Sequence, residues 1–281
     1  MSPTIAERLA SAAKALEPIS DSPALDAEYL MAHALGTTRA RLALRRNERP
    51  ELPEFDALLQ RRLASEPIPY ILGVWEFFSI ELKVRAPMLV PRPETEHLVE
   101  VVIAEIGKAP VRVLELGVGT GCVSLAIAKG APNATITGTD INPAAIVLTR
   151  ENVALHGLDA RVTLHEGDLF DALPDGTAAY HVICSNPPYI ESGDWDELSP
   201  SIRNYEDVGA LLSGPDGLGH IRRIVAEAPR WLLPGGLLAF EIGMGQHVPV
   251  RTLLEQHGYT GVAMVNDLAG IPRIACGKRP S

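Results

Sequence analysis

The chain has 281 residues, 46% apolar and 21% charged, a soluble globular balance with enough length for two domains and no disorder signature. Its formal net charge of −10 argues against a broad nucleic-acid or anionic-membrane surface, since both reward clustered Lys and Arg. Three widely spaced cysteines without a CxxC argue against a zinc knuckle or a disulfide framework, and Cys122 and Cys184, in apolar runs, read as small core residues.

The start, MSPTIAERLA, has no apolar signal-peptide region, and no uncharged run is long enough to span a bilayer, so a cytoplasmic protein is expected. Residues 3–66 read as a small helical bundle. IAERLASAAKAL, ALDAEYLMAHAL and FDALLQRRLA repeat apolar residues every three or four positions, Asp21-Ser22-Pro23 suits a helix start, and Gly36 suits a stop. Charge is uneven: residues 1–90 carry 11 basic and 12 acidic side chains, whereas the remainder carries 14 and 23. The basic groups Arg39, Arg41, Arg45, Arg46, Arg49, Arg61 and Arg62 cluster, which reads first as a solvated helix face and second as a patch for an acidic or RNA-containing partner.

From Glu66 the stretch EPIPYILGVWEFFSIELKVRAPMLVPRPETE holds five prolines around a β-rich middle, which reads as a strand pair joining two domains. Trp75, Phe77 and Phe78 read as core rather than a base-stacking platform. ETEHLVEVVIAEI restarts a helix, and strands then alternate with helices: VRVLEL, CVSLAIAKG, ATITGTD, PAAIVLTRENVALHG, RVTLHEGD, YHVICSN, LGHIRRIVAEAPRWL, LLAFEIG and HVPVRTLLEQHG, with YTGVAMVND and PRIACGK last. Such alternation predicts an α/β protein with a mostly parallel sheet covered on both faces. The last two strands are joined only by DLAGI, too short for a crossover, so that pair is expected to be antiparallel.

VLELGVGTGC runs from strand into helix and carries Gly117-Val118-Gly119-Thr120-Gly121. Glycine permits positive φ and lets a ligand approach the backbone closely. With Cys122 in the next position, the dinucleotide fingerprint lacks its third glycine. Asp140 ends the next strand, where a carboxylate can accept from two ribose hydroxyls; the competing role is a helix cap, which Asn142 can also fill. Asp168 and Leu169 follow the third strand, placed either to read an adenine edge or to cap a helix. Ligands of open α/β sheets sit outside the carboxyl ends of the strands, so one adenosine-type ligand accounts for all three strand ends.

The fourth strand closes on SNPPYI, residues 185–190. Asn186 offers a carboxamide and Pro187 a carbonyl, so one stiff turn can accept both hydrogens of a planar –NH₂ group while Tyr189 covers its flat face. That is orientation plus electrostatic stabilisation, without a nucleophilic side chain. Arg92, Glu94 and Thr95 in PRPETE either shape the donor pocket or only begin a helix, and Glu241 in FEIG either faces that pocket or pairs locally. The eight histidines show no ligand spacing, and no metal is expected.

NPPY after the fourth strand, with a glycine loop after the first, resembles the S-adenosylmethionine-dependent amino-methyltransferases. EPIPYILGVWEFFSIELKV, LVPRPETEHLVE, VLELGVGTG, SNPPYI and LLPGGLLAFEIGMGQ together resemble the bacterial peptide-chain release factor glutamine N5-methyltransferase family, from about Glu66 to the C-terminus. The resemblance implies a Rossmann-like, seven-stranded class I methyltransferase sheet behind a small N-terminal helical bundle. The implied boundaries are residues 1–72 for a helical substrate-recognition domain, 73–90 for a β-hairpin linker and 91–281 for the methyltransferase domain. It implies S-adenosyl-L-methionine as donor and S-adenosyl-L-homocysteine as product, held by Gly117, Val118, Gly119, Thr120, Gly121, Asp140, Asp168, Leu169 and Asn186. It implies as substrate the glutamine of the Gly-Gly-Gln loop of release factors, bound by Asn186, Pro187, Pro188 and Tyr189, with Asn186, Pro187 and Tyr189 catalytic. A monomer with no membrane or direct nucleic-acid partner is expected. Two alternatives stand beside it: a nucleic-acid exocyclic-amine methyltransferase (adenine N6 or guanine N2), and a non-catalytic adenosine-binding, ribosome-associated protein. One departure is local: where the family usually reads Glu-Pro, this chain has Glu206-Asp207, which bears on the rigidity of the 191–216 loop rather than on the chemistry.

Overall fold

The computed structural model describes residues 2–177 and 179–280; the outer limits of the expected domains, residues 1 and 281, lie outside them. The chain forms two compact units, one running to Val74 and taking in Ser199–Tyr205, the other holding Trp75–Leu198 and the chain from Glu206 onward.

The first unit is helical: α1 (Ile5–Leu16), α2 (Pro23–Ala34), α3 (Arg39–Arg45), α4 (Pro53–Leu63) and α5 (Ile68–Leu72). A reciprocal capping box starts α1, with Glu7 N–H donating to Thr4 Oγ1 at 3.1 Å and Thr4 N–H to Glu7 Oε2 at 2.7 Å. Pro23 and Pro53 occupy first-turn positions of α2 and α4, where the missing N–H is no loss. Two short helices, α3 and α5, fall in stretches where the sequence shows too few periodic turns to signal one. Most of the clustered arginines are engaged within this unit. Arg45 pairs with Glu48, Arg61 with Glu66 and Arg62 with Asp26, and Arg39 pairs with Glu28 while stacking over Tyr29 at 4.5 Å.

The second unit opens on a hairpin, β1 (Val74–Phe77) and β2 (Ile80–Lys83), whose two-residue turn holds Phe78 and Ser79 at φ 50° and 57°. Glu96 Oε1 accepts the Phe78 N–H at 2.8 Å, anchoring that left-handed turn. Phe77, Ile80 and Leu82 are buried in the core on one face of the main sheet, with Phe78 packed against it, so these two aromatics are core, whereas Trp75 is half-buried and outside that cluster. Next come α6 (Glu96–Ile106), β3 (Val111–Leu116), α7 (Cys122–Gly130), β4 (Ala134–Asp140), α8 (Pro143–Leu155), β5 (Val162–Glu166) and β6 (Tyr180–Ser185). The one-turn α9 (Pro200–Arg203) belongs to the helical unit. The sheet unit resumes with α10 (Gly219–Glu227), β7 (Leu232–Glu241), α11 (His247–Gln256), β8 (Thr260–Asn266) and β9 (Pro272–Lys278).

The sheet order is β5-β4-β3-β6-β7-β9-β8, with β3 to β7 parallel, β9 antiparallel to β7 and β8 antiparallel to β9. This is the seven-stranded sheet the resemblance implied, with its last pair antiparallel as the short DLAGI connection required. Strand β7 begins five residues before the expected Leu237, because Leu232 pairs with Tyr180 and the ladder bulges before Val182 meets Leu237. One face packs α6 and α7 through Leu98, Val102, Leu125 and Ile127; the other packs α10 and α11 through Ile221, Ile224, Val250 and Leu254. Among the described residues no helix is long and apolar enough to cross a membrane.

The order reverses between β3 and β6, so the carboxyl ends of β3, β4 and β6 border one crevice at the switch point.

Candidate active site

That crevice is a cleft of about 230 Å³. Gly117 and Gly119 line it with φ of 75° and 55°, and a Cβ at either would meet nothing within 4 Å, so the backbone lies open to a ligand. Gly121 serves differently: at φ 80°, a Cβ there would come within 2.6 Å of Thr149 Cγ2, so it is needed where α7 packs on α8. Val118 and Thr120 are buried and do not line the cleft. The loop is held from behind by Thr149 Oγ1 donating to the Gly119 carbonyl at 3.0 Å and Asn152 Nδ2 to that of Thr120 at 2.9 Å.

Asp140 lines the cleft and accepts N–H from Gly119 at 2.9 Å and from Asn142 at 2.8 Å, one on each carboxylate oxygen. A carboxylate has about four lone-pair sites, so each oxygen keeps one for a ligand. Burial pushes its pKa up, and the two backbone N–H groups oppose that. The helix cap falls to Asn142, whose Oδ1 accepts Ala144 N–H at 2.9 Å, which leaves Asp140 out of capping. Beside it Ile141 is 68% exposed and lines the cleft, an apolar surface suited to a flat base.

Asp168 and Leu169 also line the cleft. Asp168 makes no side-chain cap; its carboxylate pairs with Arg223 of α10 at 3.0 Å, an exposed pair. Leu169 sits at φ 48°, a left-handed conformation unusual for a leucine. Strain of that kind collects at binding sites.

Asn186 and Pro188 line the same cleft; Pro187 is buried behind them. The Tyr189 ring turns instead to the end of β7, its hydroxyl donating to Glu241 Oε1 at 3.1 Å. Thr95 Oγ1 donates to Glu241 Oε2 at 2.6 Å and accepts from Asn186 Nδ2 at 3.1 Å. Glu241 is 1% exposed, and burial raises its pKa against the two hydroxyl donors. Thus PRPETE and FEIG, left open by the sequence, meet the NPPY turn. Met88, His220 and Ala210 also border the cleft and carried no sequence signal of their own.

The loop after the turn is tied down although Asp207 stands where the resemblance led us to expect a proline. Arg92 Nη2 reaches both oxygens of buried Glu206 at 2.7 and 2.8 Å. Asp207 N–H donates to the Pro87 carbonyl at 2.8 Å, its Oδ1 accepts Gly209 N–H at 2.9 Å, and its Oδ2 accepts Asn142 Nδ2 at 2.8 Å. Three hydrogen bonds thus do the stiffening that a fixed φ would do elsewhere.

Comparison with known proteins agrees with this geometry. A family model described as the PrmC N-terminal domain matches residues 7–73, and one described as the methyltransferase small domain matches residues 94–199. A release factor glutamine methyltransferase of Vibrio cholerae is 41% identical over 99% of this chain and 98% of its own length. One from Rhodopirellula baltica is 43% identical over 91% of this chain and 89% of its own. A solved methyltransferase from Pyrococcus furiosus shares the fold, with TM-score 0.55 and 15% identity over 80% of this chain and 98% of that one. Near-full-length identity at this level, joined to an NPPY turn on the same cleft as the glycine loop, makes this chain a member of the release factor glutamine methyltransferase family.

Proposed function

We propose that this protein transfers a methyl group from S-adenosylmethionine to the side-chain amide nitrogen (N5) of the glutamine in the Gly-Gly-Gln loop of peptide-chain release factors. The observation that carries the reading is that Asn186 and Pro188 share one cleft with Gly117, Gly119 and Asp140. A turn able to grip a planar –NH₂ group thereby adjoins a cradle suited to an adenosine. The helical unit is proposed to recognise the body of the release factor.

The residues present fit the donor: open glycine backbone, Asp140 with acceptor sites left for ribose hydroxyls, and exposed Ile141 for the base. When bound, it supplies a methyl group activated on a sulfonium. An amide nitrogen is a poor nucleophile because its lone pair is delocalised. Asn186 Oδ1 and the Pro187 carbonyl would accept its two hydrogens and so hold the nitrogen in one orientation toward the donor. Those hydrogens become more acidic as the nitrogen gains positive charge, so the two acceptors would favour the transition state over the ground state, and one of the two protons would then pass to water to leave a neutral methylamide. Tyr189, turned to Glu241, is proposed to wall the site and hold the turn. Val118, Thr120 and Gly121 are proposed to act through the shape of their loop.

Mass spectrometry of a release factor incubated with this protein and S-adenosylmethionine tests the reading: a gain of about 14 Da on the Gly-Gly-Gln glutamine is expected from the chemistry of one methyl. Transfer to RNA or DNA and not to the factor would overturn it. Asp140→Ala is expected to weaken donor binding roughly 10- to 100-fold, from the loss of charge-assisted hydrogen bonds. Calorimetry reads it directly, and unchanged affinity would remove the ribose role.

A further inference from the structure

Thr95 opens α6 as its N-cap residue, yet its side chain makes no cap hydrogen bond. The residue has helical φ and ψ and ends the 3₁₀ turn Pro93–Thr95, so its side chain is not needed as a cap there. Here the residue is 2% exposed and its hydroxyl lies between Glu241 Oε2, 2.6 Å away, and Asn186 Nδ2, 3.1 Å away. A hydroxyl has one hydrogen to give. Ionised Glu241 takes it on Oε2 while its Oε1 accepts from Tyr189 OH, so Thr95 Oγ1 accepts from Asn186 Nδ2. The Asn186 amide must then present its –NH₂ to Thr95 and its oxygen to the other side. We infer that Thr95 and Glu241 are positioning residues that fix the flip of the Asn186 carboxamide, leaving Oδ1 as the acceptor facing the cleft. This rests on the proposed methylation for its catalytic consequence, though not for the relay itself.

The need follows from the substrate. A primary amide nitrogen offers hydrogens, so a reversed Asn186 would set –NH₂ against –NH₂. A freely rotating carboxamide would spend part of its time in that orientation. The far end of the relay is also fixed: Glu241 Oε1 accepts from Tyr189 OH at 3.1 Å, and Gln246 Nε2 donates to the Tyr189 carbonyl at 2.9 Å. Four side chains from three separate stretches of sequence thus orient one amide.

Thr95→Val keeps the shape of the side chain and removes the acceptor. Its kcat on a release factor is expected to fall at least about tenfold, with KM and donor affinity within a few-fold of wild type. Thr95→Ser should recover most of the loss. In NMR of the labelled protein, the Asn186 side-chain N–H should be protected from exchange in the wild type and in Thr95→Ser, and unprotected in Thr95→Val. Glu241→Gln, which lets a –NH₂ face Thr95 and reverse the chain, should lower kcat in the same way and gives a second route should the valine variant fold poorly. Unchanged protection in Thr95→Val overturns the relay. Lost protection with unchanged kcat, or a loss confined to donor affinity, overturns the positioning role. A wild type that leaves release factors unmethylated would count against the proposed function, while the exchange data would still decide the relay.

Discussion

Asn186→Ala is expected to lower turnover about 10²-fold or more while S-adenosylmethionine still binds. Two kinds of contact are at work. Residues proposed to hold the donor, such as Asp140 and the glycine loop, would act equally before and at the transition state, so their loss should appear in affinity. Asn186 lies on the same cleft, with its Nδ2 hydrogen already given to Thr95, and its oxygen is the acceptor proposed for the reacting amide. The strength of that hydrogen bond rises only as the nitrogen pyramidalises. Alanine removes it and leaves the rigid Pro187-Pro188 turn to place the backbone as before. Thus kcat and kcat/KM should fall together, with calorimetric donor affinity close to wild type. Steady-state kinetics on a purified release factor provides the measurement. Near-normal turnover would take the turn out of the chemistry, whatever the family membership.

The architecture was legible because its signals are local and repeated. Strand and helix patterns alternate from VRVLEL onward, and a five-residue connection cannot cross over, so both the parallel sheet and its antiparallel end follow from the chain itself. The elements that escaped are short: α3, α5 and α9 span seven, five and four residues, too few turns for a period to emerge. The site divides in the same way. Gly117, Gly119, Asp140, Asp168 and Asn186 stand at strand ends, where topology alone brings them together, and all five line the cleft. What sequence spacing cannot show is the direction of a side chain. Tyr189, read as covering the amide, has its hydroxyl on Glu241, and Asp168, read as an adenine contact or a cap, lines the cleft with its carboxylate on Arg223 and caps nothing. Thr95 and Glu241 lie 146 residues apart and meet only through the fold, so their hydrogen bond left no trace in either motif. Asp207 is the instructive departure: a missing proline reads as lost stiffness, whereas its carboxylate supplies bonds to Gly209 and Asn142.

Glu115→Gln is expected to stabilise the protein at alkaline pH by several kcal/mol, on the order of 5, and to change little near pH 5, which sets a large stability effect directly beneath the glycine loop. Glu115 is the penultimate residue of β3, opposite Gly138 of β4 and Cys184 of β6, and is 2% exposed. Its carboxylate accepts from the hydroxyl of Ser124 on α7. Burial moves its pKa from 4.5 to about 8, outweighing the hydrogen bonds from Ser124, and the Asp140 carboxylate pushes the same way. Between those two values the folded chain keeps a proton that the unfolded chain has released. The folded state therefore binds more protons, and stability falls as pH rises through that window, levelling off above about 8. A tenfold change in proton affinity between the two states is worth about 1.4 kcal/mol, which gives the size of the effect. Asp140, Glu206 and Glu241 also have pKa values raised by burial and slope in the same sense, so the wild-type curve alone cannot isolate Glu115. The difference between wild type and Glu115→Gln can, because glutamine keeps the shape and a hydrogen-bonding end while removing the titration. Urea unfolding of both proteins at intervals from about pH 5 to 9 should show curves that coincide at the acid end and diverge up to about pH 8. Parallel curves would mean that Glu115 reaches water or a counter-charge in the folded state, and the glycine loop would then rest on a hydrated carboxylate rather than on a dry, protonated one.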